Sequence, residues 1–166
     1  MIRAALVLSL VAAPAAAQGI EGAFVAERLA DLDLFAPYAH AVASLALWAL
    51  LMAALLVGST MGKARARTES GMIVRDYSDP AYRRDRAFRN AIEANGMFVA
   101  ATVACILAGA SPLLTNLLAS AFVVARVATA AVHVFTENQM ARSATWTVGA
   151  LATLGLALLG LWAALA

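Results

Sequence analysis

The sequence predicts an all-α integral membrane protein, a four-helix bundle preceded by a cleavable signal peptide. Hydrophobic residues make up 63% of the chain, charged residues 13%, and mean hydropathy is +0.81. That is too apolar for a soluble domain of this size. Four apolar stretches are each long enough to cross a ~30 Å hydrocarbon core at ~1.5 Å of helix rise per residue. The basic charge is also uneven: of twelve Lys and Arg, eight fall between Lys63 and Arg89. Such clustering is a membrane-orientation signal. The net charge of +2 is no nucleic-acid footprint, and no nucleic-acid partner is expected.

Residues 1–17 read as the signal peptide. Arg3 gives a positive start, Ala4 to Ala13 a short apolar stretch, and Ala15-Ala16-Ala17 a small-residue cleavage site. Residues 18–37 form a net acidic external arm. A four-helix membrane domain then occupies residues 38–166.

The first helix is expected over residues 38–61, with no charge in it. A basic loop follows and is placed in the cytoplasm. In Ser78-Asp79-Pro80, Asp79 is suited to cap the second helix and Pro80 to occupy its first position. That helix is expected over 80–110, the third over 113–135 and the fourth over 143–166. Ser111-Pro112 and Thr136 to Arg142 are the short connections. The alternation predicts a multi-pass protein with the mature N-terminus and the C-terminus outside. Trp146 and Trp162 suit an aromatic belt, and Gly149, Gly155 and Gly160 suit close helix packing. Cys105, the single cysteine, reads as a small buried hydrophobe.

Polar residues interrupt this plan in two places. Arg86, Asn90 and Glu93, spaced i, i+4, i+7, share one face of the second helix where it enters the membrane. A topology signal needs no amide or carboxylate there, whereas Arg83, Arg84 and Arg89 fit that simpler role. Arg126 lies well inside the third helix, where an unpaired arginine costs at least ~2.5 kcal/mol. Glu93 is its natural partner by charge. His133, at i+7 from Arg126, shares its face. An architectural ion pair and a ligand site both remain open readings.

These residues carry a resemblance. Arg86-x-x-x-Asn90-x-x-Glu93, then Phe98, then Ala125-Arg126, then Arg142 with Trp146 and Gly149, resemble the membrane-associated proteins in eicosanoid and glutathione metabolism (MAPEG). The match covers Tyr38 to Ala166. It implies a bacterial-type member in the inner membrane, a homotrimer contacting membrane lipid, and glutathione as co-substrate at the cytosolic face. Arg86, Asn90, Glu93, Arg126 and His133 are then the candidate glutathione contacts, and Arg142 the candidate stabiliser of the thiolate. The implied chemistry is that of a glutathione transferase or peroxidase acting on an apolar electrophile or lipid hydroperoxide. The chain departs from the family pattern at Ala94, at Asn95-Gly96-Met97, and at Thr129 and His133, where relatives often carry tyrosine or proline. The charged ligands are kept and the aromatic ones are absent. A noncatalytic lipid-binding protein, and a small transporter or architectural membrane protein, are the alternatives. No metal is expected, since two histidines and one cysteine show no ligand spacing.

Overall fold

The computed structural model describes residues 35–166. The expected signal peptide, and the arm up to residue 34, lie outside the described residues. After a one-turn 3-10 helix, Ala36–Tyr38, come α1 (Ala39–Thr60), α2 (Pro80–Leu107), α3 (Pro112–Phe135) and α4 (Gln139–Leu165). All four are long and apolar enough to cross a membrane, which makes the chain a multi-pass membrane protein.

The helices run up and down. Along the α1–α2 pair, the Tyr38 hydroxyl donates to the Ala110 carbonyl, Trp48 Nε1 donates to Asn95 Oδ1 at 2.8 Å, and Arg84 Nη2 donates to the Met61 carbonyl at 2.7 Å. Each of α1 and α4 packs against both α2 and α3. The centre is an aromatic knot. Phe98 of α2 stacks on Phe122 of α3 with centroids 3.8 Å apart, and Trp48 of α1 meets both rings edge-on. All three are essentially fully buried. Such pairs add ~0.5–1.5 kcal/mol each beyond their burial.

Small residues bring α4 close to its neighbours. A Cβ on Gly149 would lie 3.1 Å from Arg126 Cδ, and one on Gly160 would lie 3.2 Å from the Cys105 backbone nitrogen. Cys105 is buried and donates through its thiol to the Leu156 carbonyl at 3.0 Å.

Two helix ends differ from the sequence expectation. α2 stops at Leu107 rather than near residue 110, because Gly109 takes a left-handed φ of +65°. Ala110 N then donates to Cys105 O and Gly109 N to Ile106 O, which is a Schellman closure. α4 starts at Gln139 rather than Ser143. Asn138 Oδ1 accepts from Ala141 N at 3.0 Å, so an amide ends the connection four residues early. Residues 139–142 are therefore helical, and Arg142 sits in the first turn of α4.

The start of α2 follows the sequence reading. Asp79 Oδ1 accepts from Ala81 N at 2.9 Å, with Pro80 opening the helix. Asp79 Oδ2 also accepts from Arg65 N at 2.8 Å, which fastens the 61–79 loop to the cap. These two backbone N–H groups, Arg65's foremost, hold the Asp79 carboxyl below the usual carboxylate range.

Candidate functional site

The polar residues singled out in the sequence gather at the end of the bundle that carries the 61–79 loop. α2 supplies Arg86, Asn90 and Glu93, α3 supplies Arg126 and His133, and α4 supplies Arg142. Among them Asn90, Arg126, His133 and Arg142 are buried.

The expected Arg126–Glu93 pairing is not the one found. Arg126 Nη2 donates to the Asn90 backbone carbonyl at 2.6 Å and to Asn90 Oδ1 at 2.9 Å. Glu93 instead takes Arg86, with Nη1–Oε1 at 2.8 Å. Helix geometry explains the exchange. At ~100° per residue, Arg86 and Glu93 are seven positions and so only ~20° apart, nearly stacked two turns from one another. Both are rotated to the same side of Asn90. Asn90 therefore faces α3 while the Arg86–Glu93 pair stands on the helix's outer flank, with Glu93 exposed. The Arg126 guanidinium also lies 5.7 Å from the Trp48 ring centroid and 5.9 Å from that of Phe122. It is thus a buried cation held by two carbonyl-type oxygens and two aromatic faces.

Beside this cluster α2 and α4 leave a groove of about 740 Å³, floored by Phe122 and Arg126 of α3. Glu93 and Arg126 form its polar end. Ala100, Ala104, Ala157 and Leu161 represent the rest, which is almost wholly apolar. Trp146, expected as a belt residue, lines this groove as well.

His133 and Arg142 close the site toward the loop. His133 lies within electrostatic reach of Arg142, Arg86, Arg126 and Glu93. Three buried side-chain nitrogens have no hydrogen-bond partner among the described residues: Arg84 Nε, His133 Nδ1 and Arg142 Nη1. Buried polar groups are normally paired, so an unpaired one calls for a reason. Two of the three belong to this site.

The arginines assigned to topology also have local work. Arg84 bonds the Met61 carbonyl, Arg89 pairs with Asp85 at 2.7 Å, and Arg83 donates from Nη1 to the Tyr77 carbonyl and from Nε to the Val134 carbonyl. The sequence reading missed Tyr77. Its ring centroid is 3.9 Å from the Arg142 Cζ. No spacing rule marks a loop tyrosine, and only the fold brings it to α4. Among the described residues no group of three or more His, Cys, Asp or Glu side chains gathers around one point.

The arrangement defines a class: a polytopic helical membrane protein with a buried cationic site at one end, continuous with an apolar groove. Residues 38–162 match the family model described as the MAPEG family, and the chain belongs to that family. Neither the curated proteins nor the solved structures give a match.

Proposed function

We propose that this protein is a membrane-bound glutathione transferase or peroxidase-like enzyme, acting as a homotrimer with its site at the cytosolic membrane face. The observation that supports this most is the junction of the buried cations with the apolar groove. A peptide carrying two carboxylates, an amine and a thiol needs charged contacts. An apolar second substrate needs a route from the bilayer. Both requirements meet at Glu93 and Arg126.

In this reading Arg86, Asn90 and Glu93 take the carboxylates and amino group of glutathione, Arg126 supports Asn90 from α3, and His133 contacts the peptide. Arg142 stabilises the thiolate. A free thiol has a pKa of ~8.5, and lowering it by ~2 units takes ~2.7 kcal/mol of preference for the thiolate. A buried arginine with an unpaired Nη1 is suited to supply it. The thiol proton leaves to water at the cytosolic face. The sulfur lone pair then forms a C–S bond with the electrophile, while the leaving group or the newly formed carbanion carries off the electron pair. With a hydroperoxide, sulfur attacks oxygen to give an alcohol and a sulfenic acid, and a second glutathione converts the latter to disulfide and water. The outward Arg86–Glu93 pair stands among exposed Ile92 and Met97 on a spanning helix. A charged pair in that setting favours coverage by a second copy of the chain and by glutathione itself.

Titration of the purified protein with glutathione, followed by ultraviolet thiolate absorbance, tests the reading. A saturable thiolate band with turnover of an apolar electrophile is the expected result. No band and no turnover across a panel of electrophiles and hydroperoxides overturns it. The apolar length of the groove favours one alternative, a noncatalytic member that holds a lipid. Retention of lipid without turnover is its signature.

A further inference from the structure

Among the described cations of the site, Arg142 is the one whose guanidinium carbon lies over an aromatic ring outside the bundle core. Its Cζ is 3.9 Å from the Tyr77 centroid, well inside the ~6 Å within which a cation–π contact acts. Arg142 is nine-tenths buried and leaves Nη1 unpartnered among the described residues. Tyr77 is itself held by three neighbours, one of them Arg75, whose Cζ lies 5.8 Å from its ring centroid. The Tyr77 ring meets Tyr82 of α2 edge-on at 5.1 Å. Its carbonyl accepts from Arg83 Nη1 at 2.8 Å, while Arg83 Nε holds the Val134 carbonyl at the end of α3 and Nη1 faces Glu137 at 3.5 Å. Arg83 thus ties the loop that carries Tyr77 to the connection that leads into Arg142.

We infer that Tyr77 is a positioning residue: its ring, steadied by Tyr82 while Arg83 holds its backbone carbonyl, fixes the Arg142 guanidinium so that one of its N–H groups is kept free for an anion. The inference rests on the reading of Arg142 as the thiolate's partner. The ring holds the guanidinium through its π face without supplying a conventional hydrogen-bond acceptor, and Nη1 stays unpartnered among the described residues. An acidic partner would have consumed it. An unstacked arginine in the first turn of α4 would lose this orientation among its rotamers, and that loss falls on the thiolate more than on the peptide, whose carboxylates are held elsewhere.

The test follows the pH midpoint of the thiolate band of bound glutathione in the wild type, Tyr77→Phe and Tyr77→Leu. Tyr77→Leu is expected to keep glutathione affinity within a few-fold, raise the midpoint by ~0.5–1 unit, and lower turnover near neutral pH by ~3- to 10-fold. Tyr77→Phe keeps the ring and should restore the wild-type midpoint. If Tyr77→Leu does not fold, Tyr77→Met, closer in length, carries the same test. A wild-type band whose midpoint is unmoved in a folded Leu or Met variant overturns the role of Tyr77 and leaves the glutathione reading standing. Absence of any thiolate band in the wild type overturns both.

Discussion

Arg126 and Asn90 are joined twice: one guanidinium nitrogen meets both the backbone and the side-chain oxygen of the same asparagine, 36 residues away on the neighbouring helix. The buried cation is thereby hydrogen-bonded to amide oxygens and is not in direct ion-pair contact with a carboxylate among the described residues. Breaking one partner of such a contact leaves a charge short of its acceptors, at a cost of ~1–3 kcal/mol. Asn90→Leu should therefore lower thermal stability in detergent. The double variant Asn90→Leu/Arg126→Met, which removes the charge together with its acceptor, should recover part of the loss. Equal melting of Asn90→Leu and wild type would contradict this account.

Glu93 stands in a different position, exposed and, among the described residues, ion-paired with Arg86. Glu93→Gln should weaken glutathione binding by about tenfold, ~1.4 kcal/mol, as expected for one charge-assisted contact. Arg86→Ala should act similarly. Unchanged binding per folded protein, with lower expression, would return the pair to an architectural role.

Arg142→Leu separates binding from activation. Binding should stay within a few-fold, while turnover near neutral pH falls by roughly 10- to 100-fold, ~1.4 to 2.7 kcal/mol. Part of the loss should return at higher pH, where the unassisted thiol ionises. A flat ratio of variant to wild-type rate across pH would argue against thiolate stabilisation.

Asp79 makes a prediction about acid. Its carboxyl is held below the usual range by the Arg65 and Ala81 backbone N–H groups. Between the folded value and the unfolded value of ~3.9, the unfolded chain binds more protons than the folded one, so stability rises with pH. This contribution is present in full above the unfolded value and is lost as pH falls through the folded one. Melting temperatures from pH ~5 to ~3 should fall less steeply in Asp79→Asn, which keeps a capping oxygen without the titration.

Orientation is also open to direct test. Reporter fusions should place the C-terminus outside and the 61–79 loop in the cytoplasm, as the basic clustering demands. A C-terminal reporter active in the cytoplasm would reverse the assignment.

Much of this was legible from residues alone. Asp79-Pro80 marks the start of α2, and long, mainly apolar runs mark the spans, because each signal acts on its own few residues. The closeness of Arg86 and Glu93 at i, i+7 was legible for the same reason, whereas Asn90, read onto the same face, turns toward α3. The partner of Arg126 was not legible. Ranking candidates by charge selects Glu93, but the ~60° rotation between Asn90 and Glu93 decides which side chain meets α3. Tyr77 was hidden for a further reason: its position depends on how nineteen loop residues, 61–79, fold back on the helix ends. The early start of α4 was missed because Asn138 was read as part of a loop and not as a cap.

The tight closure between α2 and α3 bears on how the chain is made. Only residues 108–111 separate the two helices, too few for either to cross the bilayer far from the other. Synthesis runs from the N-terminus, so Asn90 is already in place when Arg126 emerges. The arginine, which alone would resist insertion, can enter as one arm of a hairpin whose other arm already carries its acceptors. Lengthening this turn should therefore harm biogenesis before it harms the finished fold.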